Sequence, residues 1–286
     1  MGTDYALSIV CSDEDLAVRI SEESIHEIEA YEKQFSRFLT DSELSRLNNT
    51  KNMLVSEEFI KVTKKARELY ILTKGIFNPL VQIGRMGYDK DFSTLKGSTR
   101  EESTNTYNID FETTTLDEKA MKIILKEGQK LDFGGFLKGY LAEKICKKMM
   151  HSSPLVVGAI VNIGGDLHTQ GVDAEGEFFT FDIYNPITEE EIPVTLHNQS
   201  LATSGTYKRV WARSDTQVHH ILDSSGIRNP DTDIISSSVI NTDGGTAEAY
   251  AKVFLSLGEK AHEILPENNT LFVLIKKDGS VIQNLQ

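Results

Sequence analysis

The chain has 286 residues, 39% of them hydrophobic and 26% charged, ordinary proportions for a globular protein with a large core. A net charge of −13 removes the electrostatic basis for non-specific binding to nucleic acid or anionic lipid. The two cysteines, Cys11 and Cys146, lack metal-ligand spacing; a disulfide is the alternative, but two cysteines in so long a chain read more often as free thiols.

The opening MGTDYALSIVCSDEDL has no basic n-region and too short an apolar run for a signal sequence. No stretch reaches membrane-spanning length. As it stands the sequence reads as cytoplasmic. The alternative is an exported or membrane-anchored protein whose N-terminal segment is not part of this sequence.

Tyr5 to Val10 alternates loosely and reads as a strand. From Asp13, Leu16, Ile20, Ile28, Tyr31 and Phe35 share one helical face, with Ser12 or Asp13 as N-cap. A short helix capped by Thr40 or Asp41 follows, then a long one capped by Ser56, carrying Phe59, Val62, Ala66, Leu69 and Tyr70 and ending at Gly75. Phe77-Asn78-Pro79-Leu80 must leave the helix, because the residue before proline is pushed out of the α region. Residues 89–120 are polar and irregular, with short strands expected near Tyr107–Phe111 and Ala120–Leu125.

Leu131-Asp132-Phe133 alternates like a strand end, breaks at Gly134-Gly135, and continues into a helix through Leu137, Tyr140, Leu141 and Ile145. Such a junction can aim free N–H groups at an anion, with Lys138 in the first turn adding a cation. The plain alternative is a strand-to-helix turn with a surface lysine. A second Gly-Gly strand end, Val161-Asn162-Ile163-Gly164-Gly165-Asp166, favours the anion reading. Further strands are expected over Leu155–Ile163, Phe178–Tyr184, Glu191–Leu196, Val218–Leu222 and Ser237–Ile240, with Ser200–Tyr207 a polar strand-to-loop element. A last helix, Thr246–Leu257, stops at Gly258, and a hairpin spans Leu271–Ile282. Long helices among antiparallel-looking strands argue for an α+β fold.

The dinucleotide GxGxxG, P-loop, HExxH, CxxC and GxSxG signatures are all missing. Ser204, His220 and Asp223 supply the residue types of a hydrolase triad, but Thr203-Ser204-Gly205 is no nucleophile elbow, and a hydroxyl beside a Gly turn usually serves the turn.

The segments FSRFLTDSELSRLN, FNPLVQIGRMGY, LDFGGFLKGYLAEKI, VNIGGDL, LATSGTYKR, HHILDSSG and TAEAYAKVFLSLG occur in this order along nearly the whole chain. That series resembles the ApbE family of flavin transferases, or FAD:protein FMN transferases. The resemblance implies an α+β fold related to the T-fold, with antiparallel sheets, long helices and an FAD cleft between two halves. It implies one transferase domain over 1–286, whether built of one lobe or of two closely joined ones. It further implies Mg²⁺-assisted cleavage of FAD and transfer of FMN to a Thr or Ser hydroxyl of an acceptor protein.

Carried over by motif, the flavin and phosphate contacts are Ser36, Phe38, Phe77, Asn78, Pro79, Lys138, Gly164, Gly165, Asp166, Ser204, Gly205 and Tyr207. His220 is the expected general base, with Asp223 at the usual offset. The family's last helix reads T-A-D-x-x-A-T, whose Asp and Thr, four residues apart, serve the metal. Here Glu248 keeps the carboxylate as metal ligand, and Lys252 stands at the second ligand position. The alternatives are a flavin binder with an altered metal site that does not transfer, and an enzyme hydrolysing FAD to FMN and AMP.

Overall fold

The computed structural model describes residues 3–81, 108–207, 210–213, 216–219, 221–223, 226, 228–266 and 270–285, with the backbone alone at 210–213 and 216–219. Strand β1 (Tyr5–Cys11) leads into α1 (Glu14–Phe35), whose cap is Asp13, the carboxylate accepting from Leu16 N at 3.0 Å. Helix α2 (Glu43–Thr50) is capped by Ser42 rather than Thr40 or Asp41. The buried Ser42 hydroxyl accepts from Ser45 N and donates to Ser36 O at 2.6 Å, so one side chain both caps α2 and ties down the end of α1. After β2 (Asn52–Leu54) comes α3 (Glu57–Leu72), capped by Ser56 as its sequence predicts and ending slightly before Gly75. The strand expected near Tyr107–Phe111 is not found among the described residues there. Asp110 instead caps a 3-10 turn, Phe111–Thr113. Strands β3 (Thr115–Asp117) and β4 (Lys122–Ile124) join β2 in a small sheet.

Leu131-Asp132-Phe133 is not a strand, although its alternation is real: Leu131 and Phe133 are buried. The Asn48 amide takes the place of a strand partner, donating to Leu131 O at 2.8 Å and accepting from Leu131 N at 2.7 Å. Asp132 N donates to Pro79 O. Helix α4 (Leu137–His151) starts just beyond the Gly-Gly turn.

The remaining elements are β5 (Val156–Ile163), β6 (Asp166–Gly171), β7 (Phe179–Tyr184), β8 (Glu191–Leu196), β9 (Ser200–Gly205), β10 (Val210–Arg213), β11 (Thr216–His219), β12 (Ile234–Asn241), α5 (Gly244–Leu257), β13 (Leu271–Lys276) and β14 (Val281–Asn284). The strand expected at Val218–Leu222 lies earlier, as β11, paired with β10. Gly164 and Gly165, with φ of 61° and 94°, form the two-residue turn between β5 and β6, so this Gly-Gly closes a hairpin.

Seven antiparallel strands form the main sheet in the order β1-β5-β6-β9-β12-β13-β14. Side-chain alternation sends Ala159, Val161, Ala202, Val239, Phe272 and Leu274 to the face covered by the helices. Leu201, Ile235, Ile240, Val273 and Ile275 face the other way, onto Ile183, Val194 and Leu196 of the β7–β8 hairpin. Covered on both faces, β12 is buried along nearly its whole length. Helix α5 is buried over most of its surface, as its largely apolar sequence requires, with Lys252 and Ser256 reaching the partly exposed side. Among the described residues no helix is long and apolar enough to cross a membrane.

Candidate active site

A cavity opens where the end of α1, the segment after α3, the start of α4 and the C-terminal half of α5 meet. Its described lining includes Ser36, Phe38, Phe77, Asn78, Lys138 and Lys252, six positions that the sequence singled out. An aromatic chain, Phe35–Phe59–Phe133–Phe136–Phe77, underlies it with ring centroids 5.2–5.9 Å apart. Gly135 gives the Phe77 ring its place, since a Cβ there would lie 2.8 Å from the ring edge and the ring would have to shift. Asn78 is fixed through Ile109 O, and its own Oδ1 accepts from Leu80 N.

Arg37 and Asp132 also line the cavity. Their ion pair is 3.6 Å long, and the guanidinium lies 4.6 Å from the Phe38 ring centroid. Sequence reasoning missed both. They sit inside FSRF and LDFGG, beside residues that were chosen, and nothing in their spacing marks them. Thr3, Val253 and Ser256 are further lining residues without a signal.

Four charged groups meet at this wall, Lys138 and Lys252 lining it and Asp166 and Glu248 buried behind them. Lys138 Nζ pairs with Asp166 Oδ2 and lies 3.2 Å from Glu248 Oε1. Lys252 Nζ lies 3.0 Å from the same Glu248 oxygen. Glu248 Oε2 accepts from Gly139 N at 3.0 Å, so the anion at the start of α4 is the protein's own carboxylate. Asp166 Oδ1 accepts from Thr203 N at 3.1 Å. Burial opposes ionisation of Glu248, but Lys138 and Lys252 overcome it and bring its pKa down to about 2. Burial also works against the Lys138 ammonium, yet Asp166 and Glu248 hold its pKa above the ordinary lysine range.

These donors fit poorly to Mg²⁺, which wants near-octahedral oxygen coordination. Both oxygens of Glu248 and both of Asp166 already bind ammonium or N–H groups. No cluster of three or more His, Cys, Asp or Glu that could hold a metal occurs among the described residues.

The other expected residues lie outside the described cavity lining. Pro79 offers its carbonyl to Asp132 N. Gly164 and Gly165 form the hairpin turn ahead of Asp166, with Thr3 packed on Gly164. Ser204, buried, and Gly205 pair with Ser237 and Ser236 of β12. Tyr207, just beyond, packs on Gly205. Asp223 pairs with Arg228 at 3.0 Å, while its neighbours Ile221 and Leu222 line the cavity. His220 lies outside the described residues.

The ApbE family profile matches residues 1–275. The chain belongs to the ApbE family. A FAD:protein FMN transferase of Klebsiella pneumoniae (strain 342) is 26% identical over 302 residues, covering 99% of this chain and 89% of that protein. Among solved structures, the ApbE protein of Thermotoga maritima superposes with a TM-score of 0.82 at 24% identity, over 97% of this chain and 93% of the other. The flavin transferase ApbE from Vibrio cholerae gives 0.79 at 20% identity, over 99% and 94%. At these identities the solved structures establish the shared ApbE fold, an α+β arrangement of helices and antiparallel sheets.

Proposed function

We propose that this chain is an FAD:protein FMN transferase, binding FAD in the cavity at the start of α4 and moving FMN to a Thr or Ser hydroxyl of an acceptor protein. The observation that carries the reading is full-length kinship with proteins of that name, combined with a cavity lined by two lysines. In the step itself, the acceptor hydroxyl oxygen bonds to the FMN phosphorus. The bond from that phosphorus to the bridging oxygen breaks, and AMP leaves with the electron pair. The hydroxyl proton passes to a base. On the family motif that base is His220, accompanied by Asp223, since an imidazole near neutral pKa suits the task. Lys138 and Lys252 supply positive charge for the phosphoryl oxygens. No step is assigned to Mg²⁺, because the oxygens of Glu248 and Asp166 are already engaged.

Incubation with FAD and a candidate acceptor, followed by intact-protein mass spectrometry, tests the reading. One FMN should be added per acceptor site, with release of AMP. His220→Ala should slow the reaction about 10²- to 10⁴-fold while FAD affinity changes only severalfold. Free FMN and AMP without any adduct would make the protein an FAD hydrolase. Absence of FAD binding at tens of micromolar, about −6 kcal/mol, would remove the flavin assignment altogether.

A further inference from the structure

We propose that Lys138 and Lys252 together do the electrostatic work of a divalent cation in this chain, so that the pyrophosphate of FAD is held by two ammoniums without a metal ion. The proposal rests on the FAD reading above and goes beyond it by naming what neutralises the ligand.

Three observations carry it. Both ammoniums converge on one atom, Glu248 Oε1, at 3.2 and 3.0 Å. The carboxylate between them relieves the repulsion that two neighbouring like charges would otherwise suffer. Second, the four groups are layered. The lysine side chains are 21% and 22% exposed and line the cavity, whereas Asp166 and Glu248 are 2% and 1% exposed behind them. An entering anion therefore meets the cationic layer. Third, two ammoniums on two carboxylates carry the same formal charge as one divalent ion on two carboxylates.

An ammonium has three N–H donors. Lys138 spends two, on Asp166 and Glu248; Lys252 spends two on the side-chain and backbone oxygens of Glu248, the latter at 3.4 Å. Among the described residues, each lysine keeps one for a ligand oxygen. The bland reading of Lys252, a helix-surface partner of Glu248 four residues away, leaves unexplained why it shares an oxygen with Lys138 at the cavity wall.

The test is calorimetric titration with FAD, and with ADP as a pyrophosphate lacking flavin, in EDTA and again in millimolar Mg²⁺. The unmodified protein should bind FAD with affinities that agree within about threefold in the two conditions. Lys252→Met keeps the unbranched aliphatic stem, one atom shorter, but removes the ammonium and leaves Glu248 facing the anion. It should weaken binding in EDTA by about tenfold or more, and Mg²⁺ should restore part of the loss by supplying positive charge beside Glu248 Oε1, which then keeps Lys138 as its one ammonium. Lys252→Arg, which keeps the charge, should bind within severalfold of the parent in EDTA.

Two results would overturn the proposal: unmodified protein that binds FAD tenfold tighter with Mg²⁺ than with EDTA, or Lys252→Met that binds like the parent in EDTA. Should Lys252→Met fail to fold, judged by circular dichroism, the EDTA comparison on the parent and Lys252→Arg still decides. Loss of FAD binding in both conditions would instead remove the transferase reading, and this proposal with it.

Discussion

Gly139→Ala sets two effects of opposite sign against each other. Alanine is better than glycine in a helix interior by about 1 kcal/mol, an upper bound for Gly139 in the first turn of α4, so local propensity alone predicts a more stable protein. Gly139, however, is where α4 crosses α5. A Cβ there would lie 2.2 Å from Gly244 O and 2.8 Å from its carbonyl carbon, and the reciprocal Cβ on Gly244 would lie 2.1 Å from Gly139 O. Carbon–oxygen contacts settle at about 3.3 Å, so the helices must part by about 1 Å. Overpacking of that kind costs about 1–3 kcal/mol. Parting also stretches the 3.0 Å bond from Gly139 N to Glu248 Oε2, and hydrogen bonds to charged groups contribute about 1.5–3 kcal/mol. The costs win, leaving a net loss of about 1.5–5 kcal/mol. Urea denaturation followed by circular dichroism measures it, and FAD affinity should fall in the same variant because Lys138 is the adjacent residue. A higher urea midpoint at unchanged slope would show that propensity prevails and that the crossing is looser than described.

His168 is buried, with Nδ1 2.7 Å from Ser200 Oγ and Nε2 3.0 Å from the Gln170 amide nitrogen; that amide can only donate, so the ring is neutral with its proton on Nδ1. Burial, with Lys147 nearby, lowers its pKa to about 3, so the unfolded chain takes up a proton near pH 6.5 that the folded chain refuses. Stability is therefore full above pH 6.5 and falls as pH drops, by about 2 kcal/mol at pH 5. Urea titrations at pH 7, 6 and 5 should show this loss in the parent and a shallower slope in His168→Gln; equal slopes would refute it. Asn48→Ala leaves the N–H and C=O of buried Leu131 without their partner and should cost about 2–4 kcal/mol in the same assay.

Periodicity and capping chemistry made the long helices legible: Asp13 and Ser56 cap where expected, and the buried stripe of α1 matches its predicted face. Alternation also marked Leu131 and Phe133 as buried, but it cannot tell a strand from an extended segment served by an asparagine eighty-three residues away. Strand β6 escaped because Asp166-Leu167-His168-Thr169-Gln170 mixes polar and apolar residues, and yet all but Gln170 are buried. Its polar members are paid for by contacts distant in sequence, such as His168 with Ser200 and Asp166 with Lys138. Of the site, the motif residues that line the cavity were legible, whereas Arg37 and Asp132 were not. They reach the cavity because the fold brings an ordinary arginine and an ordinary aspartate together there.

The charged cluster shows why such a site belongs to the fold rather than to any one motif. Its members come from the first turn of α4, the start of β6 and two turns of α5, with the Thr203 N–H of β9 completing the set. Burying a carboxylate costs several kcal/mol unless its partners arrive with it, so Glu248 and Asp166 are tolerable only once these elements have docked. The docking depends in turn on Gly139 and Gly244, whose missing side chains let α4 and α5 cross at backbone contact. That same approach brings the Gly139 N–H to Glu248 Oε2 and leaves Oε1 for the two lysines. One close helix crossing thus fixes the packing, the ionisation of Glu248 and the placement of both ammoniums at the cavity wall.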